Sequence, residues 1–188
     1  MKLKTIAVMG SGKLPWSELS VPLGKWIAES GHNLLTGGGQ GVMSEVSRAF
    51  TSVEGRAGRS IGIVPTRPDP LAGFVPLDGY PNPYIDIAIV TPLPRREPGQ
   101  DEGAINRNHV NVLSGDAIVA LPGGPGTAQE IEIALRWRKP LILFGPRDVH
   151  EYGIDDAPLA TTLAEVESFL REVLARMDAK PDQPGSGR

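Results

Sequence analysis

Six short runs with consecutive rather than alternating apolar residues restrict this chain most: 5–9, 33–36, 60–64, 86–90, 117–121 and 141–144. A strand with one wet face alternates apolar and polar side chains, whereas consecutive apolar residues require cover on both faces. That is the condition of a parallel sheet between two helical layers. Between the runs the apolar period changes to that of a helix. Leu19, Leu23, Trp26 and Ile27 share one face of a helix that follows Pro15 and stops at Gly31. Further helices are expected over 42–53, over 102–114 with Ile105, His109, Val112 and Leu113 inward, and up to Trp137. A last helix carries Leu163, Val166, Leu170, Val173, Leu174 and Met177 as its stripe. The fold expected is α/β, a Rossmann-like doubly wound parallel sheet, as a single domain over 1–179 with a solvated tail over 180–188. Ligands of such sheets bind at the carboxyl ends of the strands.

Composition removes several function classes. The 188 residues include no cysteine, which excludes disulfides, thiolate metal sites and cysteine nucleophiles. A formal net charge of −3 gives no basic face for nucleic acid or an anionic membrane. No apolar run approaches the length of a membrane span, and the first residues lead straight into a strand, so a cytoplasmic protein without a signal peptide is expected. His32, His109 and His150 share no metal-ligand spacing, so no metal site is expected. No cofactor beyond the ligand itself is expected.

Three glycine clusters sit at strand ends. Gly10-Ser11-Gly12-Lys13 fits neither familiar phosphate motif: Pro15 stands where the dinucleotide fingerprint needs glycine, and Ala7 and Leu14 break the P-loop pattern. A plain strand-to-helix turn explains it equally well. Gly37-Gly38-Gly39 exposes backbone N–H groups before a helix, an arrangement suited to phosphate. The run 122–130, Pro-Gly-Gly-Pro-Gly-Thr-Ala-Gln-Glu, is the most informative. Amides of Gly124, Gly126 and Thr127 can form an anion nest at a helix start, with the Thr127 hydroxyl as a further donor. A capping box between Thr127 and Glu130 would explain those two residues but not Gly123, Gly124 and Gly126.

The pattern Pro122-Gly-Gly-x-Gly-Thr-x-x-Glu130, with Arg107 fifteen residues before it, resembles the signature of the Lonely Guy (LOG) family, long labelled "possible lysine decarboxylase". The first two glycine clusters match that family's other motifs in order, and the resemblance spans roughly residues 5–145. It implies a Rossmann-fold homodimer, or larger homo-oligomer, that binds a nucleoside 5′-monophosphate. LOG enzymes cleave the N-glycosidic bond of N6-substituted AMP (cytokinin ribotides) to free base and ribose 5-phosphate. The Arg context differs, with Ala104, Ile105 and Asn108 in place of Met, His and Lys. The shorter second glycine loop, with 106–108 (Asn-Arg-Asn) and 110–116, is more similar to the molybdenum-cofactor carrier branch, whose members bind a phosphorylated pterin and hydrolyse nothing. Decarboxylation is unsupported, because no lysine has the setting of a pyridoxal Schiff base.

The resemblance leans towards a phosphoribohydrolase, with a non-catalytic nucleotide or pterin binder as the alternative. In the hydrolase reading Glu130 stabilises positive charge on the ribose or deprotonates the attacking water, and Arg107 clamps oxygens or stabilises the departing base. Gly123, Gly124, Gly126 and Thr127 hold the phosphate, and Gly10, Ser11, Gly38 and Gly39 wall the nucleotide. Without the motif, Arg107 reads as a surface or ion-paired residue. Trp16 and Trp26 read as packing of the first helix and Trp137 as core or dimer interface. Residues 136–139 read as a basic helix end. The Pro-rich, aperiodic loop 65–85, with Phe74, Tyr80 and Tyr84, reads as a surface excursion or a cover for the base.

Overall fold

The structure, a computed structural model, describes residues 3–93, 105–146 and 157–179. Its frame is a seven-stranded sheet of β1 (Thr5–Met9), β2 (Asn33–Thr36), β3 (Ser60–Val64), β6 (Ile87–Val90), β7 (Ala117–Ala120), β8 (Leu141–Phe144) and β9 (Leu159–Ala160). Its order is β6-β3-β2-β1-β7-β8-β9, and every neighbouring pair is parallel. The chain winds outward from β1 through β2 and β3 to β6, then returns to place β7 on the other side of β1. The switch point therefore lies between β1 and β7, where Ile6 pairs with Ala117 and Met9 with Ala120.

Alternate residues of each central strand feed two cores, as strand geometry requires. Ile6, Val8 and Val119 pack under α1 (Ser17–Glu29), α2 (Val42–Thr51) and α5 (Leu163–Ala179), against Leu23, Ile27, Phe50 and Leu170. Ala7, Met9 and Ile118 pack on the other face, under α3 (Arg107–Ser114) and α4 (Pro125–Arg136), with Val112, Ile131 and Ala134. Each large side chain so buried is worth about 1.5–3 kcal/mol. The basic end of α4 is as expected, with Arg136 in its last turn, where it complements the helix dipole.

Several expectations need correction. The segment 65–85 is not structureless: β4 (Thr66–Asp69) and β5 (Gly73–Pro76) form an antiparallel hairpin. β6 is apolar yet exposed along its length, because it is the sheet edge and among the described residues its sheet partner is β3 alone. Ile105 and Leu113 point outward rather than into the core, since α3 begins only at Arg107 and turns His109 and Val112 inward. Trp137 is exposed rather than core, following the last residue of α4. Residues 94–104, the start of the expected 102–114 helix included, the tail 180–188 and His150 lie outside the described residues.

Candidate ligand-binding site

The loops after β1, β7 and β2 meet at the switch point. Ser11 joins them through its backbone: its N–H donates to the Pro122 carbonyl at 3.0 Å, and its own carbonyl accepts the Val42 N–H at 2.9 Å. Its Oγ accepts the Lys13 and Leu14 N–H groups, closing the turn before α1. Gly41 makes this stitching possible. Its φ is +63°, and a Cβ there would lie 2.3 Å from the Ser11 carbonyl oxygen.

After β7, Gly124 caps α4, with Pro125 as its first residue. Proline is at home there because its missing N–H would have had no intrahelical acceptor. Thr127 is the third helical residue and buried, so the capping box it might have headed does not form. Its side chain packs on Gly123, where a Cβ would lie 2.1 Å from Thr127 Oγ1. The first-turn amides of Gly126 and Thr127 carry the partial positive charge of the helix end. Gly124 and Gly126 are exposed, neither has positive φ, and a Cβ at either would meet no protein atom within 4 Å. Neither packing nor backbone geometry therefore demands glycine at these two positions.

Below the glycine loops, α3 and α4 face each other through a buried polar cluster. Asn108 Nδ2 donates to Gln129 Oε1 at 2.8 Å, and Asn111 Nδ2 to Glu130 Oε1 at 3.1 Å. Arg107 Nη1 donates to the carbonyls of Ile63 at 2.7 Å and Gly37 at 3.2 Å, tying the ends of β3 and β2 to α3. Burial pushes the Glu130 carboxyl above the ordinary carboxylate range, against the opposing pull of the Arg107 charge and the Asn111 hydrogen bond. The structure thus brings Arg107 and Glu130 together, both buried, beneath the loop rather than across open space from it. Asn106 caps α3 reciprocally with His109: the Asn106 Oδ1 accepts the Asn108 N–H, and His109 Nδ1 accepts the Asn106 N–H. His109 is therefore a cap, and burial beside Arg136 lowers its pKa. His32 immediately precedes β2, at the amino end of the strands and so away from the glycine loops at their carboxyl ends.

Four residues of this region went unremarked in the sequence. Asn111 lies one helical turn from Arg107, and Gln129 adjoins Glu130, so spacing could have found both. Met43 and Asn82 carry no such signal. The Met43 side chain touches the loops after β1 and β2, lying near positions a Cβ would take on Gly12, Gly37 and Gly39. Asn82, 2% exposed, donates its N–H to the Gly38 carbonyl and its Nδ2 to the Gly39 carbonyl. Among the described residues no group of three His, Asp or Glu side chains could hold a metal, and no helix is long and apolar enough to cross a membrane.

A parallel sheet wound both ways from β1, with glycine loops converging on its switch point, defines a protein of the Rossmann-like class. Residues 3–172 match the SLOG cluster4 family, and the chain belongs to it. A solved molybdenum cofactor binding protein from Rippkaea orientalis is 30% identical, with a TM-score of 0.67 over 93% of this chain and 99% of that one. The molybdenum cofactor carrier protein of Chlamydomonas reinhardtii is 28% identical, with a TM-score of 0.68 over the same shares. A probable cytokinin riboside 5′-monophosphate phosphoribohydrolase of Oryza sativa subsp. japonica is 29% identical over 126 residues, which are 66% of this chain and 43% of that protein.

Proposed function

We propose that the crevice between β1 and β7 binds a small phosphorylated ligand, a nucleotide or a pterin, as a carrier or sensor does. The carrying observation is the pair Gly124 and Gly126. Gly126 lies within α4, where glycine costs about 0.5–1 kcal/mol relative to alanine, Gly124 is the N-cap outside it, and this fold demands glycine at neither position. An anion approaching the amides of Gly126 and Thr127 would need the space that two methyl groups would otherwise fill. Gly10 and Ser11 supply a wall, and Gly123 seats Thr127. Contrary to the expectation of exposed amides, Gly38 and Gly39 are buried under Val64, Tyr80 and Met43, and the Gly38 N–H is already taken by Thr36 Oγ1. Molybdenum cofactor fits as cargo through its phosphate, and the full-length likeness to the two cofactor-binding proteins supports that choice. Arg107 and Glu130 serve this reading as supports: the guanidinium holds the Gly37 loop from below, and the buried carboxyl orders Asn111.

The proximity of Arg107 to Glu130 favours a second reading, hydrolysis of a nucleoside 5′-monophosphate. Water would add to C1′ as the C1′–N bond breaks, the base leaving with a proton. A carboxyl whose pKa burial has raised suits a proton donor to that base better than a base towards water. The test is to titrate the protein calorimetrically with AMP, N6-substituted AMP and molybdopterin, following free base by chromatography beside Glu130→Ala. Saturable binding without base release supports the carrier. Base release absent from the variant decides for the hydrolase, and no binding of any of the three overturns both.

A further inference from the structure

The segment after the β4–β5 hairpin returns across the loop that ends β2. It is anchored on both sides: the Leu77 N–H donates to the Pro65 carbonyl at 2.9 Å and the Asp86 N–H to the Ser60 carbonyl at 2.9 Å. At its centre Asn82 holds the Gly38 and Gly39 carbonyls, and Gln40 Nε2 reaches the Gly79 carbonyl at 3.2 Å. These bonds set the half-buried Tyr80 ring on Gly39. A Cβ on Gly39 would lie 2.9 Å from Tyr80 Cε1, 3.0 Å from its Oη and 2.8 Å from Met43 Cε. An aromatic ring and a thioether thus meet over a bare glycine at the end of β2. No hydrogen bond among the described residues uses the Tyr80 hydroxyl.

We infer that Tyr80, backed by Met43, is the specificity wall that packs against the planar heterocycle of the ligand. The inference rests on the binding reading above and adds the part of the ligand that the α4 amides cannot recognise. The spacing agrees. The α4 amides follow β7 and the Tyr80 wall stands over the end of β2, with β1 between them, so the two are about 10 Å apart at ordinary strand separation. A ribose or a fused sugar ring bridges that gap, lying over Gly10 and Ser11. Stacking on an aromatic face tolerates different heterocycles, and polarizable methionine sulfur adapts to their shapes. The wall therefore selects for a flat ring system without choosing purine over pterin.

The experiment measures dissociation constants of AMP, GMP (whose guanine shares the aminopyrimidinone ring of a pterin) and ribose 5-phosphate. The proteins are wild type, Tyr80→Ala and Tyr80→Phe, each checked by its melting temperature. Tyr80→Ala is expected to weaken both nucleotides roughly tenfold or more while leaving ribose 5-phosphate within about twofold, and Tyr80→Phe to retain nucleotide affinity. Equal losses on all three ligands would make Tyr80 a strut of the glycine loop and overturn the inference. So would a wild type that binds ribose 5-phosphate as tightly as the nucleotides. A wild type that binds none of the three overturns the inference that the wall accepts any flat ring, and only failure to bind molybdopterin as well sinks the reading of the crevice.

Discussion

Replacing Gly126 by alanine should move stability and ligand affinity in opposite directions. Gly126 is the second residue of α4, is exposed, lacks positive φ, and has no protein atom within 4 Å of an added Cβ. The new methyl therefore costs nothing in packing and removes backbone freedom from the unfolded chain, a gain of about 0.5–1 kcal/mol. For a chain of this length that raises the melting temperature by about 1–4 °C. Helical Cα–Cβ bonds tilt towards the N-terminus, so the same methyl projects in front of the first-turn amides. Losing one charge-assisted hydrogen bond to phosphate costs about 1.5–3 kcal/mol, roughly ten- to a hundredfold in Kd. Scanning calorimetry reads the first quantity, and titration with AMP or inorganic phosphate the second. A melting temperature that falls would show that the fold itself needs this glycine. Unchanged phosphate affinity would show that no anion sits there. Either result refutes the reasoning.

Gly41→Ala should destabilise by about 2 kcal/mol or more, because positive φ is combined with a Cβ only 2.3 Å from the Ser11 carbonyl oxygen; chemical denaturation reads the loss. Arg107→Ala should cost about 3 kcal/mol in urea unfolding, since it orphans the buried carbonyls of Gly37 and Ile63, and a loss under 1 kcal/mol would contradict the support role. Glu130 is an acid whose folded pKa lies above its unfolded value of 4.5, so the unfolded chain ionises first as pH rises. Its contribution is present below the unfolded pKa and is lost as pH climbs towards the folded one. The advantage of Glu130→Gln over wild type in melting temperature should accordingly grow as pH rises above 4.5; an advantage that does not change with pH would refute the raised pKa.

Apolar runs revealed six of the seven sheet strands: in five of them burial on both faces leaves an unbroken signature, whereas β6 keeps its apolar run at an exposed sheet edge. Short or irregular strands left no such signal. The β4–β5 hairpin carries Pro68 and Pro76 and no alternating pattern, and β9 is only two residues long. The expected 102–114 helix put Ile105 and Leu113 inward because apolar count outweighed capping. Asn106 with His109 three residues on was the better sign of where α3 starts. The glycine clusters were visible in the sequence, but their stitching through Ser11 was not, because it joins carbonyls and amides whose positions only the sheet order sets. For the same reason Arg107 could be located by spacing, while its two carbonyl partners, 44 and 70 residues away, could not.

The central sheet contains no hairpin, and that fixes when the crevice can exist. β1 and β7 are neighbours in space, yet the Thr5 N–H reaches the Asp116 carboxylate across 111 residues of sequence. Closing so long a loop must precede its reward, so this pairing belongs to the late, slow part of folding. A chain emerging from the ribosome can wind β1, β2 and β3 and still own only half of the proposed phosphate cradle. In the binding reading, affinity for ligand is thus acquired only when the loop between β1 and β7 closes, and a bound ligand marks a chain in which that pairing has formed.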